Sequence, residues 1–298
     1  MKAKAAGIKR KWSLNLNMKK TKLGLPVAFL CCSFFFLAGL LVSNLISQNF
    51  DLNGDNQKGR GRPLESMKEY DLLLSGDTGD HSLTLIPFQI LSWKPRALYY
   101  PNFATAEQCQ SIINMTKPHL KPSTLALRKG ETEENTKGIR TSSGVFVSAS
   151  DDETGVLEAI EEKIARATML PRDHGEAFNV LRYEIGQKYN SHYDAFNPAE
   201  YGPQKSQRVA SFLLYLSDVE EGGETMFPFE NDMEIDGSYD FDKCIGLQVK
   251  PRRGDGLLFY SLFPNNTIDP TSLHGSCSVI KGEKWVATKW IRDQVQED

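Results

Sequence analysis

Tyr189-Asn190-Ser191-His192-Tyr193-Asp194 is the stretch from which the fold is read. It sets an imidazole and a carboxylate two residues apart, as His192-x-Asp194. In an extended strand, residues i and i+2 project from the same face. The pair can therefore offer two ligands to one metal ion, with Tyr193 turned the opposite way. From residue 176 onward, short apolar or alternating runs recur: Ala177–Tyr183, Val209–Leu216, Thr225–Phe227, Gly246–Val249, Gly256–Tyr260 and Trp285–Ile291. Gly-rich turns such as Glu221-Gly222-Gly223-Glu224 and Arg253-Gly254-Asp255-Gly256 separate them. Many short strands with regular turn signals predict a sandwich or jelly roll.

A third ligand has to come from elsewhere, and the chain has only five histidines. His81 lies in a polar stretch, His119 follows Pro118 at a helix end, and His174 sits in the loop Pro171-Arg172-Asp173-His174-Gly175. That leaves His274, in Ser272-Leu273-His274-Gly275-Ser276. A double-stranded β-helix sets its second and seventh strands side by side, where His192 and His274 can meet. Two histidines and a carboxylate are the facial set that suits non-haem Fe(II) with open positions. Ten residues beyond His274, Lys284 opens the strand Lys284-Trp285-Val286-Ala287-Thr288-Lys289-Trp290. Period-2 alternation puts Lys284, Val286, Thr288 and Trp290 on one face. A buried cation and a hydroxyl four residues apart can hold the distal carboxylate of a dicarboxylate cosubstrate. Lys281 and Lys289 are out of step with that face or that offset.

The N-terminal part has a different character. Residues 1–22 carry eight Lys/Arg and no acid, whereas the other 276 residues hold 27 basic against 38 acidic side chains, a balance of −11. An acidic body argues against nonspecific nucleic-acid binding, which needs basic surface to replace phosphate counterions. Residues 23–46 are uncharged and mostly apolar. At 24 residues they are long enough for a transmembrane helix, and longer than the apolar region of a cleaved signal peptide. The positive charge before that segment keeps the N-terminus cytosolic. The expected organisation is a cytosolic tail (1–22), a signal anchor (23–46), a flexible stem (47–87) rich in Gly, Asp, Asn and Ser, and a lumenal domain (88–298). Two sequons face the same side, at Asn114 and Asn265. Of the five cysteines, Cys109, Cys244 and Cys277 are lumenal, which allows one bridge and leaves one thiol.

The domain is expected to begin near Phe88 with a strand, Phe88–Trp93. Thr105-Ala106-Glu107-Gln108 reads as a capping box opening a helix that runs to about Thr116. Gly138–Val147 reads as a strand containing a turn. A second helix begins in the acid-rich Asp151-Asp152-Glu153-Thr154 and carries Val156, Ile160 and Ile164 at four-residue spacing, through to Met169 before Pro171. The fold class is mainly β with flanking helices, a double-stranded β-helix preceded by an N-terminal transmembrane helix.

At this point the sequence resembles the Fe(II)/2-oxoglutarate-dependent dioxygenases, whose pattern is His-x-Asp, a distant His and a basic residue about ten further on. Within them it is similar to the plant-type, membrane-anchored prolyl 4-hydroxylases. The narrower match rests on Arg140-Thr141-Ser142, Phe178-Asn179-Val180-Leu181-Arg182-Tyr183, Gly186-Gln187-Lys188-Tyr189 and Glu221-Gly222-Gly223-Glu224-Thr225. The resemblance spans residues 88–293. It implies that His192, Asp194 and His274 bind Fe(II), and that 2-oxoglutarate meets Lys284, with Thr288 and Tyr183 as hydrogen-bonding partners. It implies oxidative decarboxylation to succinate, hydroxylation of a peptidyl proline at C4 in secreted proline-rich proteins, and ascorbate to rescue oxidised iron. Arg140, Ser142, Glu176, Tyr189, Arg208 and Trp290 match positions that line the peptide groove in similar enzymes. An extended polyproline II substrate suits such polar and aromatic walls. Cys244 and Cys277 flank the approach to the third ligand and are the preferred pair, and the resemblance points the same way. With the anchor, it implies a single-pass type II protein of the endoplasmic reticulum or Golgi membrane, and it leaves a homo- or hetero-oligomer open.

Other readings compete. One is a 2-oxoglutarate-dependent hydroxylase of another side chain. Another is a non-catalytic lumenal binding module, against which the intact ligand set and Lys284 count. A membrane-anchored glycosyltransferase shares the topology, but only Asp240-Phe241-Asp242 spells the paired acids it needs.

Overall fold

The computed structural model describes residues 85–233, 240 and 243–296. The basic tail, the apolar segment and the stem up to residue 84, with His81, lie outside the described residues, as do Phe241 and Asp242. Among the described residues no helix is long and apolar enough to cross a membrane.

The strands are β1 (Gln89–Trp93), β2 (Arg96–Tyr100), β3 (Lys121–Pro122), β4 (Ser143–Val147), β5 (Phe178–Tyr183), β6 (Tyr189–His192) and β7 (Arg208–Tyr215). They continue as β8 (Glu221–Gly222), β9 (Thr225–Phe227), β10 (Leu247–Val249), β11 (Gly256–Tyr260), β12 (His274–Ser276), β13 (Val279–Lys281) and β14 (Lys284–Arg292). Eight form a major sheet in the order β1-β2-β11-β7-β14-β5-β4-β3, and four a minor sheet, β10-β9-β12-β6. All these pairings are antiparallel. Two sheets of interleaved, non-sequential strands make the jelly roll that the turn spacing predicts.

The period-2 pattern of β14 decides which of its side chains face the site. Trp285, Ala287 and Ile291 belong to the outer core, with Phe178, Val180, Phe212 and Leu214. Val286 belongs to the core between the sheets, with Leu181, Tyr215, Phe227 and Phe259. Full burial of each such side chain stabilises by about 1.5–3 kcal/mol. Two helices cover the outer face. In α1 (Ala106–Thr116) the capping box forms as the sequence predicts: Gln108 N–H donates to Thr105 Oγ1 at 3.2 Å and Thr105 N–H to Gln108 Oε1 at 2.9 Å. Cys109 and Ile112 reach the core from it. In α2 (Val156–Thr168) the buried stripe is Leu157, Ile160 and Ile164. Val156, which opens the expected stripe, is half-buried and packs against the same core, and the chain enters the helix through Gly155 at a φ of 71°. Asp152 reaches past that turn and accepts from Leu157 N–H at 2.8 Å.

Two expectations need correction. The strand read from Gly138 begins only at Ser143, because a turn and Gly138 at a φ of 86° precede it. Arg140 instead makes an isolated bridge to Tyr189, and Thr141 N–H donates to Lys188 O at 3.0 Å, so this arm is laid against β6. The hairpin strand β2, which joins β1 to β11, is absent from the sequence reading.

Candidate active site

The register of the minor sheet sets His274 of β12 opposite His192 of β6. Asp194 lies two residues past the point where β6 stops, so it is offered from a bend and not from the strand that the i, i+2 argument assumes. The convergence survives that correction. His192 Nε2 is 3.6 Å from Asp194 Oδ1, and His274 Nε2 is 3.5 Å from Asp194 Oδ2. One donor atom from each residue lies within 4.8 Å of the other two. Backbone carbonyls assign the tautomers: Asn190 O lies 2.8 Å from His192 Nδ1, and Ser272 O lies 2.9 Å from His274 Nδ1. Each Nδ1–H donates to its carbonyl, leaving Nε2 with a free lone pair for a metal. The Ser211 hydroxyl of β7 donates to Asp194 Oδ2 at 2.6 Å and orients the carboxylate.

Burial acts on these groups in opposite senses. It lowers the His274 pKa to about 4, so that imidazole is neutral near pH 7. Burial would raise the Asp194 pKa, but the neighbouring His274 and His192 more than offset it and keep the carboxyl ionised. The donor set is thus one carboxylate and two imidazoles in metal-binding tautomers, and among the described residues no further His, Cys or carboxylate joins the cluster. That fits Fe(II) with open positions.

Glycine at 275 is a packing requirement. A Cβ there would stand 2.9 Å from Met226 Cε and 3.0 Å from Tyr189 O, between the strands whose closeness brings the histidines together. Tyr189 stacks on the His192 ring with centroids 3.7 Å apart and an interplanar angle of 20°.

Behind the triad is a small inner chamber of about 40 Å³ whose lining includes Tyr183, Thr225, His274, Ser276, Lys284 and Thr288. Lys284 is 1% exposed, and its Nζ donates to Ser276 Oγ at 2.9 Å. Burial pulls its pKa down to about 7, with Glu224 pulling weakly the other way. Among the described residues no carboxylate forms an ion pair with it, so below about pH 7 the chamber holds a cation without a counter-anion. Its competitors are settled elsewhere: Lys281 pairs with Glu220 on the surface, and Lys289 pairs with Glu161 of α2 on the outer face.

In front of the triad is a cleft of about 1050 Å³ lined by residues 118–126, Arg140, Phe146, Tyr189, His192, Asp194, Arg208 and Trp290 among others. The Arg208 guanidinium lies 3.7 Å above the Trp290 ring centroid, and that of Arg140 lies 4.7 Å above that of Tyr189. Ser142 and Glu176, expected at the groove, do not line this cleft. Ser142 Oγ accepts from Arg140 Nε at 3.3 Å. Glu176 accepts from Arg208 Nε and Nη2 at 2.7 and 2.8 Å and from Arg292 Nε at 2.6 Å, which holds it ionised despite burial. Both residues stand behind the wall and aim the arginines that form it.

The remaining expected residues sort clearly. Cys244 and Cys277 are bonded, so the cluster they make with Glu224 is not a thiolate site. Cys109 is a buried free thiol whose pKa burial raises to about 11. His119 is exposed at the rim of the cleft, and His174 contacts Arg292 O. Asn265 is exposed in a turn, and the Thr267 hydroxyl of its sequon donates to Asn265 Oδ1 at 2.7 Å. Asn114 is exposed on α1, with its sequon Thr116 buried. Sequence reasoning missed Ser211, Ser276, Phe146 and the loop 118–126. Ser276 alone was within reach, because it shares a strand face with His274 two residues earlier.

Residues 178–292 match the model of the 2OG-Fe(II) oxygenase superfamily. Over 286 residues the chain is 65% identical to probable prolyl 4-hydroxylase 9 of Arabidopsis thaliana, covering 95% of this chain and 98% of that one. Over 282 residues it is 56% identical to prolyl 4-hydroxylase 13 of the same plant, covering 94% and 98%. Among solved structures it is similar to the 2OG complex of the viral collagen prolyl hydroxylase from Paramecium Bursaria Chlorella virus-1, at 24% identity over 66% of this chain and 95% of that chain, with a TM-score of 0.48. With near-complete coverage of both plant relatives and the oxygenase match spanning the triad, the chain belongs to the prolyl 4-hydroxylases, Fe(II)- and 2-oxoglutarate-dependent dioxygenases of the 2OG-Fe(II) oxygenase superfamily.

Proposed function

We propose that the chain hydroxylates peptidyl proline at C4 in extended, proline-rich secreted proteins, coupled to oxidative decarboxylation of 2-oxoglutarate to succinate. The observation that carries this reading is the meeting of His192, Asp194 and His274 between a wide cleft and a buried, unpaired cation. His192, Asp194 and His274 would hold Fe(II), which supplies the oxidising chemistry when bound together with 2-oxoglutarate and oxygen.

The chain's own residues do the positioning. Lys284 receives the distal carboxylate of 2-oxoglutarate, and Thr288 and Tyr183, both buried beside it, add hydroxyl donors. Ser276, which accepts from Lys284 Nζ at 2.9 Å, lines the same chamber and would stand beside that carboxylate. Leu181, Leu213 and Val286 in the chamber lining keep the distal end of the cosubstrate away from bulk water. Arg140, Tyr189, Arg208 and Trp290 form the substrate wall, suited to a polyproline II backbone whose carbonyls are free to accept hydrogen bonds. Ser142 and Glu176 hold the two arginines in place. Ascorbate would act on iron oxidised in turnovers that lack substrate.

The charge asymmetry around the apolar segment supports a single-pass type II arrangement in the endoplasmic reticulum or Golgi membrane. The Cys244–Cys277 bridge, which requires an oxidising compartment, supports the same side for the catalytic domain. The test is succinate release by the full chain with Fe(II), 2-oxoglutarate and ascorbate, with and without a proline-rich peptide, followed by mass spectrometry of the peptide. Stimulation by peptide and one added oxygen on proline are expected. Peptide-independent turnover, or oxygen on another side chain, would refute the reading.

A further inference from the structure

Asp269, in the segment that leads into β12, is a buried acid at 1% exposure, and among the described residues no cation forms an ion pair with it. Its partners are local. Oδ1 accepts from Thr271 N–H at 2.8 Å and from the Thr271 hydroxyl at 2.6 Å, which closes the short 3₁₀ turn Pro270–Ser272. The main chain of Asp269 binds the same turn: its carbonyl accepts from Ser272 N–H at 3.0 Å and from the Ser272 hydroxyl at 2.7 Å. Asp269 N–H donates to Ser261 O at 3.0 Å, which ties the turn back to the end of β11. Two carbonyls of the turn then reach the metal ligands. Ser272 O accepts from His274 Nδ1 at 2.9 Å, and Pro270 O accepts from the Tyr193 hydroxyl at 3.1 Å. Tyr193 lies between His192 and Asp194, in the bend where the pairing of β6 has already stopped. One turn therefore grips the segments that carry all three ligands, and Asp269 closes that turn.

We infer that Asp269 is a positioning residue for the iron centre, which sets the ring of His274 and the bend offering Asp194 through the Pro270–Ser272 turn. The inference rests on the reading that His192, Asp194 and His274 hold Fe(II). Asp269 lines neither the cleft nor the inner chamber, so it acts through other residues and not on substrate or cosubstrate. What the turn needs is an acceptor at Oδ1, and asparagine supplies one without the charge. A metal-binding imidazole takes its tautomer and aim from the group that accepts its other N–H, and disturbing that group costs about 10- to 100-fold in metal affinity. The protein carries its own control. Asp152 builds the same Asp-x-Thr turn, with Oδ1 accepting from Thr154 N–H at 2.8 Å and from the Thr154 hydroxyl at 2.5 Å, but at the start of α2 on the outer face.

The test measures Fe(II) binding to the full chain by equilibrium dialysis and the visible d–d spectrum of the Co(II)-loaded chain, with no substrate present. Asp269→Ala should weaken Fe(II) binding by about 10- to 100-fold and shift the Co(II) bands. Asp269→Asn should stay within about threefold of wild type, with an unshifted spectrum. Asp152→Ala should lower Tm, as Asp269→Ala does, and leave metal affinity and spectrum unchanged. Should Asp269→Ala fail to fold, Thr271→Val removes one of the two bonds to Oδ1 and should give a smaller loss of affinity with a spectral shift in the same direction. Wild-type affinity and spectrum in the folded variant of this turn, an equal loss in Asp152→Ala, or no rescue by Asp269→Asn would overturn the inference. A wild-type chain that binds no Fe(II) would instead overturn the iron site itself, and the inference with it.

Discussion

Lys284→Met separates the cost of a buried charge from its use. In the free enzyme this ammonium is buried, with one hydroxyl partner and no ion pair, and burial has brought its pKa from 10.5 to about 7. An unfolded lysine keeps the higher value, so between pH 7 and 10.5 the unfolded chain binds more protons than the folded one. Stability of the free enzyme therefore rises with pH across that window and is lowest below pH 7, where the folded chain carries the full charge. The shift corresponds to a penalty of roughly 3–5 kcal/mol below pH 7. Replacing the ammonium with an apolar group of similar length removes that penalty. Calorimetry of Lys284→Met at pH 6.5 should show a higher Tm than wild type, with the gap narrowing as pH rises. Cosubstrate binding should move the other way. Losing one partner of a buried charge pair costs about 2–5 kcal/mol, so KM for 2-oxoglutarate should rise by about 30-fold or more. Wild-type affinity should also fall above pH 7, by up to about tenfold per unit, because binding must then take up a proton. A variant with unchanged KM, or wild-type affinity flat from pH 6.5 to 9, would refute this assignment of Lys284.

Alanine at His192 or His274 should abolish succinate release and stoichiometric Fe(II) binding, measured by equilibrium dialysis, because two donors do not hold the ion against water. Ser211→Ala should lower Fe(II) affinity by about 10- to 100-fold without changing the fold, since it frees only the orientation of Asp194; circular dichroism with a metal titration separates the two. Cys277→Ser opens a loop with a sequence separation of 33 and should cost about 4 kcal/mol in denaturant unfolding. Gly275→Ala should weaken Fe(II) binding and lower Tm together, because the added methyl pushes β12 away from β6.

The triad and Lys284 were readable because few residues could play those parts. Five histidines, a period-2 face and one offset left almost no alternatives. Asp194 was found for a reason that proved incomplete: the strand it was assigned to ends at His192, and a bend brings the carboxylate round instead. Ser211 went unseen because serine has no local signature when its partner lies in another strand, whereas Ser276 could have been read from its place two residues after His274 on the same strand face. Glu176 was placed one layer too far forward, since a carboxylate that touches substrate and one that braces an arginine are spelled alike. The strands of two or three residues, such as β3, β8 and β12, are too short to display a period, and only pairing with distant segments defines them. The segment 118–126, which contains β3, looked featureless for the same reason, although it lines much of the cleft.

The two ends of the site belong to different sheets. His192 and His274 stand on β6 and β12, whereas Lys284 stands on β14, and among the described residues no strand pairing joins these two layers. A dicarboxylate held at one end by the metal and at the other by Lys284 would be a removable cross-brace between them. At about 100 times its Kd such a ligand adds roughly 2.7 kcal/mol to folding stability. The metabolic supply of a central keto acid would then govern the lifetime of this enzyme in the cell as well as its rate.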